Sequence, residues 1–579
     1  MVSGSKLLVA RAWPWVLGLV ILLPVLWPGF VLSYDMVFVP DLAFRSDFLG
    51  LGSGLPRAVP SDAVVSVLDE VVPGDVLQKI LLLGALVLAG LGARRLVPST
   101  NLTAQVAATT CYVWNPFVAE RLGIGHWPLL LAYAALPWIY DAARRARSGA
   151  RTLPAIWLWL ALAALSAAGG VIAAVFALTC VVGRGREAWR RTALVGLGAA
   201  AVNAPWIVAG ALHGSGALSD PRGVEAFAAR AEGVLPLSLT VLGLGGIWNA
   251  EVVPASRESW AAVVALVLTV AVAALGAWRW RPVVERRDRR ALVVAGGIGL
   301  VVAVAGTVVP DALAWLAANV PGGGLLRDGT RFLALLAPLE ACLFGLGVST
   351  LGGLVRKYGV RGAVVTCLVL MPVALMPDLG LGLAGRLRPV AFPTEYAVAR
   401  GAIDARLQER GYGDLLLLPF NSYRLPSWND GRRTLDPTGR FMTPDYLASD
   451  TLYVSGTRIA GEDARAARVE KLLDSDLSAP ELAERLGEEG IGWVVLDKEA
   501  AAMVGDAAPS ADLTGLPVVH AGSDLVVWEV PRTVESEPSA TTRAGIWVAW
   551  LLAGGVVLGS LGLAATRRVR TLWRLPRSG

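Results

Sequence analysis

Apolar runs long enough to cross a hydrocarbon core of about 30 Å, which takes ~17–25 residues, recur along the whole chain. They lie near 13–32, 77–97, 102–119, 127–143, 153–168, 170–183, 193–212, 259–278, 291–309, 331–351, 362–380 and 544–565. This pattern predicts about twelve membrane helices. Polar residues between the runs alternate in kind. Every second gap holds basic knots: Lys6/Arg11, Arg94/Arg95, Arg144 to Arg151, Arg184 to Arg191, Arg279 to Arg290, Arg356 to Arg361 and Arg567 to Arg577. The intervening gaps hold carboxylates, glycines and prolines. Short Lys/Arg-rich loops stay cytoplasmic, so both termini are expected in the cytoplasm of a multi-pass plasma-membrane protein. Only Gly169 and Gly170 punctuate the pair 153–183; a re-entrant hairpin there leaves the sidedness of everything after it unchanged.

Composition agrees with the pattern. Hydrophobic residues make up 55% and charged residues 17% of the chain, and the mean hydropathy is +0.57, values of a polytopic membrane protein. The formal charge of +6 comes mostly from arginines dispersed among membrane turns, not from one basic surface, so no nucleic-acid partner is expected. Cys111, Cys180, Cys342 and Cys367 all fall inside predicted spans, without disulfide or zinc spacing. The first apolar run is long and contains Pro14, Pro24 and Pro28; it reads as a retained helix, not a cleaved signal peptide.

Four segments on the expected outer side, 33–76, 115–127, 213–258 and 310–330, are more than turns. The first opens SYDMVFVPDLAFRSDF, placing Asp35 and Asp41 closest to the membrane among apolar neighbours. There a carboxylate acquires a raised pKa and acts as a general base, unless it is simply a solvated loop acid. The second, WNPFVAERLGIGHWPLL, puts Glu120, Arg121 and His126 within a dozen residues behind an Asn115-Pro116 helix stop. An outward arginine needs a partner: a phosphate, or a structural pairing with Glu120 or an aspartate. His126 beside Trp127 reads as a proton donor, a sugar-stacking pair or part of the interfacial aromatic belt. The fourth, VPGGGLLRDGTRF, gathers Arg327, Asp328 and Arg331 before a span, a seat for a phosphate; Glu340 follows inside that span. The third suggests a short amphipathic or re-entrant element with Glu225, Arg230, Trp248 and Asn249 as its notable polar and aromatic residues.

Between 385 and 540 the apolar runs shorten. DLLLLPF, IGWVVLD and DLVVWEV read as strands, while TEYAVARGAIDARLQERG, GEDARAARVEKLLDSD and SAPELAERLGEEG read as helices, the last capped by Ser478 with Glu481. The alternation predicts an extracytoplasmic α/β domain. Its loop with Tyr423, Arg424, Trp428, Asn429 and Asp430 suits carbohydrate contacts or packing on the membrane domain. The organisation is thus a transmembrane domain, 1–384, a soluble α/β domain, 385–540, and a final span with a basic tail, 541–579.

This architecture resembles the GT-C superfamily of polyprenyl-phosphate-sugar glycosyltransferases, and NPFVAERLGIGHWPLLLAYAALPW and LLRDGTRF are similar to segments of actinobacterial membrane proteins related to it. Where GT-C first loops carry short acidic pairs, this chain has spaced aspartates. The resemblance implies inverting transfer of a sugar from a polyprenyl-phosphate donor to a cell-envelope glycan, glycolipid or protein. Asp35 or Asp41 would be the base, with Arg327 and Arg331, and Arg121 beside them, holding the phosphate; Glu120, His126 and Asp328 would complete the binding site. It implies no cofactor and no metal-ligand set, and leaves a divalent-metal requirement open. A non-catalytic envelope-assembly protein and a lipid or glycan transporter are the alternatives. A transporter would place its polar residues at the bilayer midplane, whereas here they cluster at the outer mouth.

Overall fold

A computed structural model describes residues 4–572 except 53, 150–151, 214–217, 455, 505–512, 532 and 535–537. Arg151 and the tail arginines Arg574 and Arg577 lie outside the described residues. Among the described residues seven helices are long and apolar enough to cross a membrane: Leu8–Leu26, Gly74–Leu96, Arg186–Leu212, Trp260–Trp278, Arg286–Val308, Ala337–Leu354 and Ala540–Thr566. The bent pair Gly359–Leu375 and Pro377–Gly385, meeting at 66°, makes an eighth if it counts as one span.

The expected count of about twelve is not matched by these criteria, and the differences have local causes. At Asn115 the side chain donates back to the Cys111 and Tyr112 carbonyls and accepts from the Val118 amide. It thereby closes the helix Leu102–Val113 and starts another, Pro116–Gly123. The runs at 153–168 and 170–183 yield helices of 11 and 15 residues, only about 16 and 22 Å long. The run at 331–351 opens as a 3-10 turn, Gly329–Leu335, before the α-helix begins at Ala337. The helix Trp127–Arg147 is long enough, but it is largely buried and ends in three arginines. The third loop forms only short helical turns, such as Arg222–Ala226 and Leu237–Leu242.

Glycines set the closest helix contacts. A Cβ at Gly276 would stand 1.9 Å from the Leu343 carbonyl oxygen, and one at Gly347 would stand 1.9 Å from that of Val272. Helices 260–278 and 337–354 therefore meet backbone to backbone, as small residues allow within a membrane.

At one end of the bundle the arginine knots are tied to two aspartates. Arg95 and Arg145 both pair with Asp141, at 2.6 and 2.8 Å, and Arg147 and Arg144 both pair with Asp288. The other end of the Gly74–Leu96 helix meets the first loop, where Gly74 packs against the Val39 carbonyl. On that end sits the α/β domain.

Its sheet has the spatial order Tyr446–Leu447, Asp414–Leu418, Ile491–Asp497, Leu525–Glu529, Val518–Ala521. The first three strands are parallel and the last two join antiparallel. Helices Ala464–Leu473 and Ala479–Glu488 cover one face through Val469, Leu482 and Leu486, which pack with Leu416 and Val494. The expected capping box of Ser478 and Glu481 is present. The domain is clamped to the first loop. Arg45 donates to the Gly439 and Pro444 carbonyls, both at 2.8 Å, Arg440 pairs with Asp62, and Phe30 and Val390 exchange backbone bonds of 2.8 and 2.9 Å.

Candidate active site

The short helix Pro116–Gly123 and the loop behind it place Arg121 and His126 on one side. Arg121, fully buried, forms a fork with Asp328, Nη1 to Oδ2 at 3.1 Å and Nη2 to Oδ1 at 3.4 Å. Thr330 lies between them, accepting from Arg121 and donating to Asp328 at 2.7 Å. Arg331 reaches the same carboxylate through Nε at 2.9 Å. Burial works against the Asp328 charge, yet Arg121 and Arg331, with the Thr330 hydrogen bond, outweigh it and hold this carboxyl far below the usual range.

The network continues to Asp35. His126 Nδ1 lies 3.4 Å from Arg121 Nη1, and Nε2 lies 3.1 Å from Asp35 Oδ2. A guanidinium only donates, so Nδ1 accepts and the ring proton sits on Nε2, directed at Asp35. Burial, then the nearby charges of Arg331 and Arg121, lower the His126 pKa against the pull of Asp35, which keeps the ring neutral near neutral pH. Tyr423 of the α/β domain donates to the other oxygen, Oδ1, at 2.6 Å; burial and Asp35 push its own pKa well up, so it stays a donor. Burial would raise the Asp35 carboxyl, but His126, Tyr423 and Arg331 prevail and hold it below its ordinary value. The raised pKa expected for this residue is corrected: bonds to the charged form outweigh desolvation. Its side chain remains 40% exposed.

The backbone at this point is itself constrained. Tyr34 has φ +46°, costly for a non-glycine residue and tolerated where the surroundings dictate it. Its amide donates to the Arg433 carbonyl and its carbonyl accepts from the Leu435 amide, both at 2.8 Å, while the Asp35 amide donates to Ile124 at 3.2 Å. The α/β domain on one side and the 124–126 loop on the other thus aim Asp35.

Beside this network lie three guanidiniums whose charges bear on one another. Arg331 uses only Nε, leaving Nη1 and Nη2 without a protein partner among the described residues. Arg327 pairs with Glu462 at 2.6 Å and covers the Phe227 ring at 4.9 Å. Burial, then repulsion from Arg331 and Arg57, lower its pKa. Arg57 is half exposed and bonded to Asp450 at 2.6 Å. Arginines close enough to repel one another form a place where an anion is favourable.

Of the residues singled out from the sequence, Asp35, Arg121, His126, Asp328 and Arg331 converge on one network, with Arg327 at its edge. Arg121 serves Asp328 as a buried partner and is no free phosphate ligand. Asp41 does not join: it is 64% exposed and bonds Arg400 Nη2 at 2.8 Å. Glu120 does not join either, because neighbouring helical residues point about 100° apart. It faces Glu232 and the Arg257–Glu232 pair, whose Nε to Oε2 distance is 2.7 Å. Burial, followed by the Glu232 charge, raises the Glu120 pKa well above normal. Glu340 lines an apolar cavity of about 320 Å³ with Trp114, Leu266, Leu339 and Pro372, and Arg257 stands at its wall. Sequence reading gave Arg57 no role, although it breaks the inward-charge pattern as Arg121 does; it left the Tyr423 loop open between carbohydrate contacts and packing on the membrane domain, and the bond to Asp35, across 388 positions, is of the second kind. Among the described residues no group of three His, Cys, Asp or Glu side chains is arranged to hold a metal ion.

No family model and no curated protein matches the chain. Among solved structures it is similar to the arabinofuranosyltransferase AftD from mycobacteria, at 18% identity and a TM-score of 0.53, over 93% of this chain and 42% of that one. It thus spans less than half of that protein's length, and the likeness speaks to the fold alone. An oligosaccharyltransferase of Archaeoglobus fulgidus aligns at 13% identity over 87% of this chain and 70% of that one, with a TM-score of 0.41, too loose to carry an argument. The chain therefore shares its fold with that arabinofuranosyltransferase, which agrees with the helical membrane architecture and appended α/β domain expected from the sequence.

Proposed function

We propose that this chain is an integral-membrane glycosyltransferase that moves a sugar from a polyprenyl-phosphate donor to an acceptor hydroxyl of a cell-envelope glycan outside the plasma membrane. One observation carries the reading. An ionised, partly exposed carboxylate, Asp35, is fixed by two donors beside a guanidinium, Arg331, that has two unused NH2 groups. The fold shared with a solved glycosyltransferase and the outward sidedness expected from the arginine pattern support it.

In this reading Asp35 accepts the acceptor hydroxyl proton as the oxygen bonds to the anomeric carbon. The bond from that carbon to the phosphate oxygen breaks with inversion. Arg331, with Arg327 and Arg57, stabilises the charge growing on the leaving phosphate. Because Asp35 is already ionised at neutral pH, no prior deprotonation is needed. The apolar cavity beneath the Pro116–Gly123 helix is suited to part of the lipid tail. A lipid or glycan transporter would need its polar groups along a midplane path; the Asp35 network lies at the end bearing the α/β domain.

The test is reconstitution of the full chain in proteoliposomes with polyprenyl-phosphate-linked sugars and envelope glycan acceptors, with product followed by mass spectrometry. Wild type is expected to form a new glycosidic bond. Asp35→Asn, equally abundant and equally stable, is expected to lose at least about 10²-fold in rate. Equal product from both proteins would overturn the assignment of Asp35 as base.

A further inference from the structure

A second charged feature lies where the Leu8–Leu26 helix ends, apart from the Arg327 and Arg331 seat. Residues 381–385 all have positive φ, forming a left-handed turn, and the Phe30–Val390 backbone pair ties this turn to the helix end. Between them runs an open groove of about 820 Å³ lined by Leu23, Pro24, Trp27, Leu381, Ala384 and Arg388, among others. Its apolar rim is uncovered: Trp27 is 68% and Leu381 53% exposed.

The charge in this lining is arginine. A Cβ at Gly385 would stand 2.9 Å from Arg388 Nη2, so glycine there lets the guanidinium lie back into the groove. Arg388 has no carboxylate within 4 Å among the described residues. Its neighbour Arg432 donates to the Arg386 and Arg388 carbonyls at 3.1 and 2.8 Å and is itself met by Asp430 at 3.5 Å, which leaves Arg388 as the guanidinium of the groove with no carboxylate. An unpaired guanidinium, an interfacial tryptophan and an apolar trough at a helix exit match the three parts of an anionic glycerophospholipid: phosphate, glycerol boundary and acyl chain.

We propose that this groove binds an anionic phospholipid, its phosphate on Arg388 and an acyl chain along Leu23, Trp27 and Leu381. The site is separate from the Asp35 network. Phosphatidylcholine carries the same phosphate but cancels it with a trimethylammonium group, so the net charge beside Arg388 should favour an anionic lipid by about 1.4 kcal/mol, a factor of roughly ten in affinity.

The test uses the full chain in detergent, titrated with dioleoyl phosphatidylglycerol, dioleoyl phosphatidylcholine or inorganic phosphate, with bound lipid counted by native mass spectrometry. Phosphatidylglycerol is expected to bind at one saturable site roughly tenfold more tightly than phosphatidylcholine. Arg388→Gln, an exposed change that leaves the fold intact, is expected to erase that preference, whereas Arg356→Gln in a basic knot is expected to keep it. Equal binding of the two lipids, an unchanged preference in Arg388→Gln, or displacement of the lipid by inorganic phosphate would overturn the proposal.

Discussion

Asp35 and Asp41 belong to the same loop, six positions apart, and look alike in sequence. Asp35 accepts from a neutral imidazole and a half-buried phenol, in a frame whose far end is a fully buried guanidinium. Asp41 holds one arginine of a helix in the α/β domain, Arg400, and is otherwise in water. Both are paired carboxylates, but only the first is held by two donors, one of them backed by the buried Arg121–Asp328 pair. What separates two acidic residues of one loop is what holds their partners.

The largest expected effect tests that frame. Asp328→Ala leaves Arg121 charged and unpaired in a fully buried position. It should cost about 3–5 kcal/mol of stability, seen as a lowered unfolding midpoint in detergent. A midpoint equal to wild type would mean that the Arg121–Asp328 fork does not hold the site.

A smaller change sharpens the role of Asp35. Tyr423→Phe removes a donor to its charged form, so the Asp35 pKa should rise. Its lowered pKa in the folded protein keeps it ionised and competent as a base above that value, with activity lost as pH falls through it. The acid limb of the rate profile should therefore move to higher pH by up to roughly one unit, about 1.4 kcal/mol, with less than about tenfold change at neutral pH. An acid limb that stays in place, or moves to lower pH, would remove Tyr423 from the site.

The smallest effect is predicted at Asp41. Asp41→Asn breaks an exposed pair with Arg400 and should change stability by no more than about 0.5–1 kcal/mol, with transferase rate unchanged. A loss matching that of Asp35→Asn would erase the distinction between the two aspartates.

Much of the α/β domain was legible beforehand because its signals are local. IGWVVLD is the strand Ile491–Asp497, and SAPELAERLGEEG contains the helix Ala479–Glu488 with the capping box expected of Ser478 and Glu481. The gathering of Arg121, Asp328 and Arg331 with Asp35 was legible for another reason: arginines outside the basic knots must find a counter-charge. Glu120 was misplaced because one residue along a short helix turns a side chain toward another neighbour, here Glu232.

What the chain alone determined is the alternation of apolar runs and arginine knots, hence a helical membrane protein with its unusual polar residues segregated to one end, since the hydrophobic effect and charge bias act on composition over short distances. Tertiary structure alone decided which runs are full helices, which aspartate is held by His126 and joined to the Arg121–Asp328 network, and that Tyr423 reaches across 388 positions to hold it. Those outcomes depend on burial and on the approach of groups from distant segments, whose energies exist only once the chain has closed on itself.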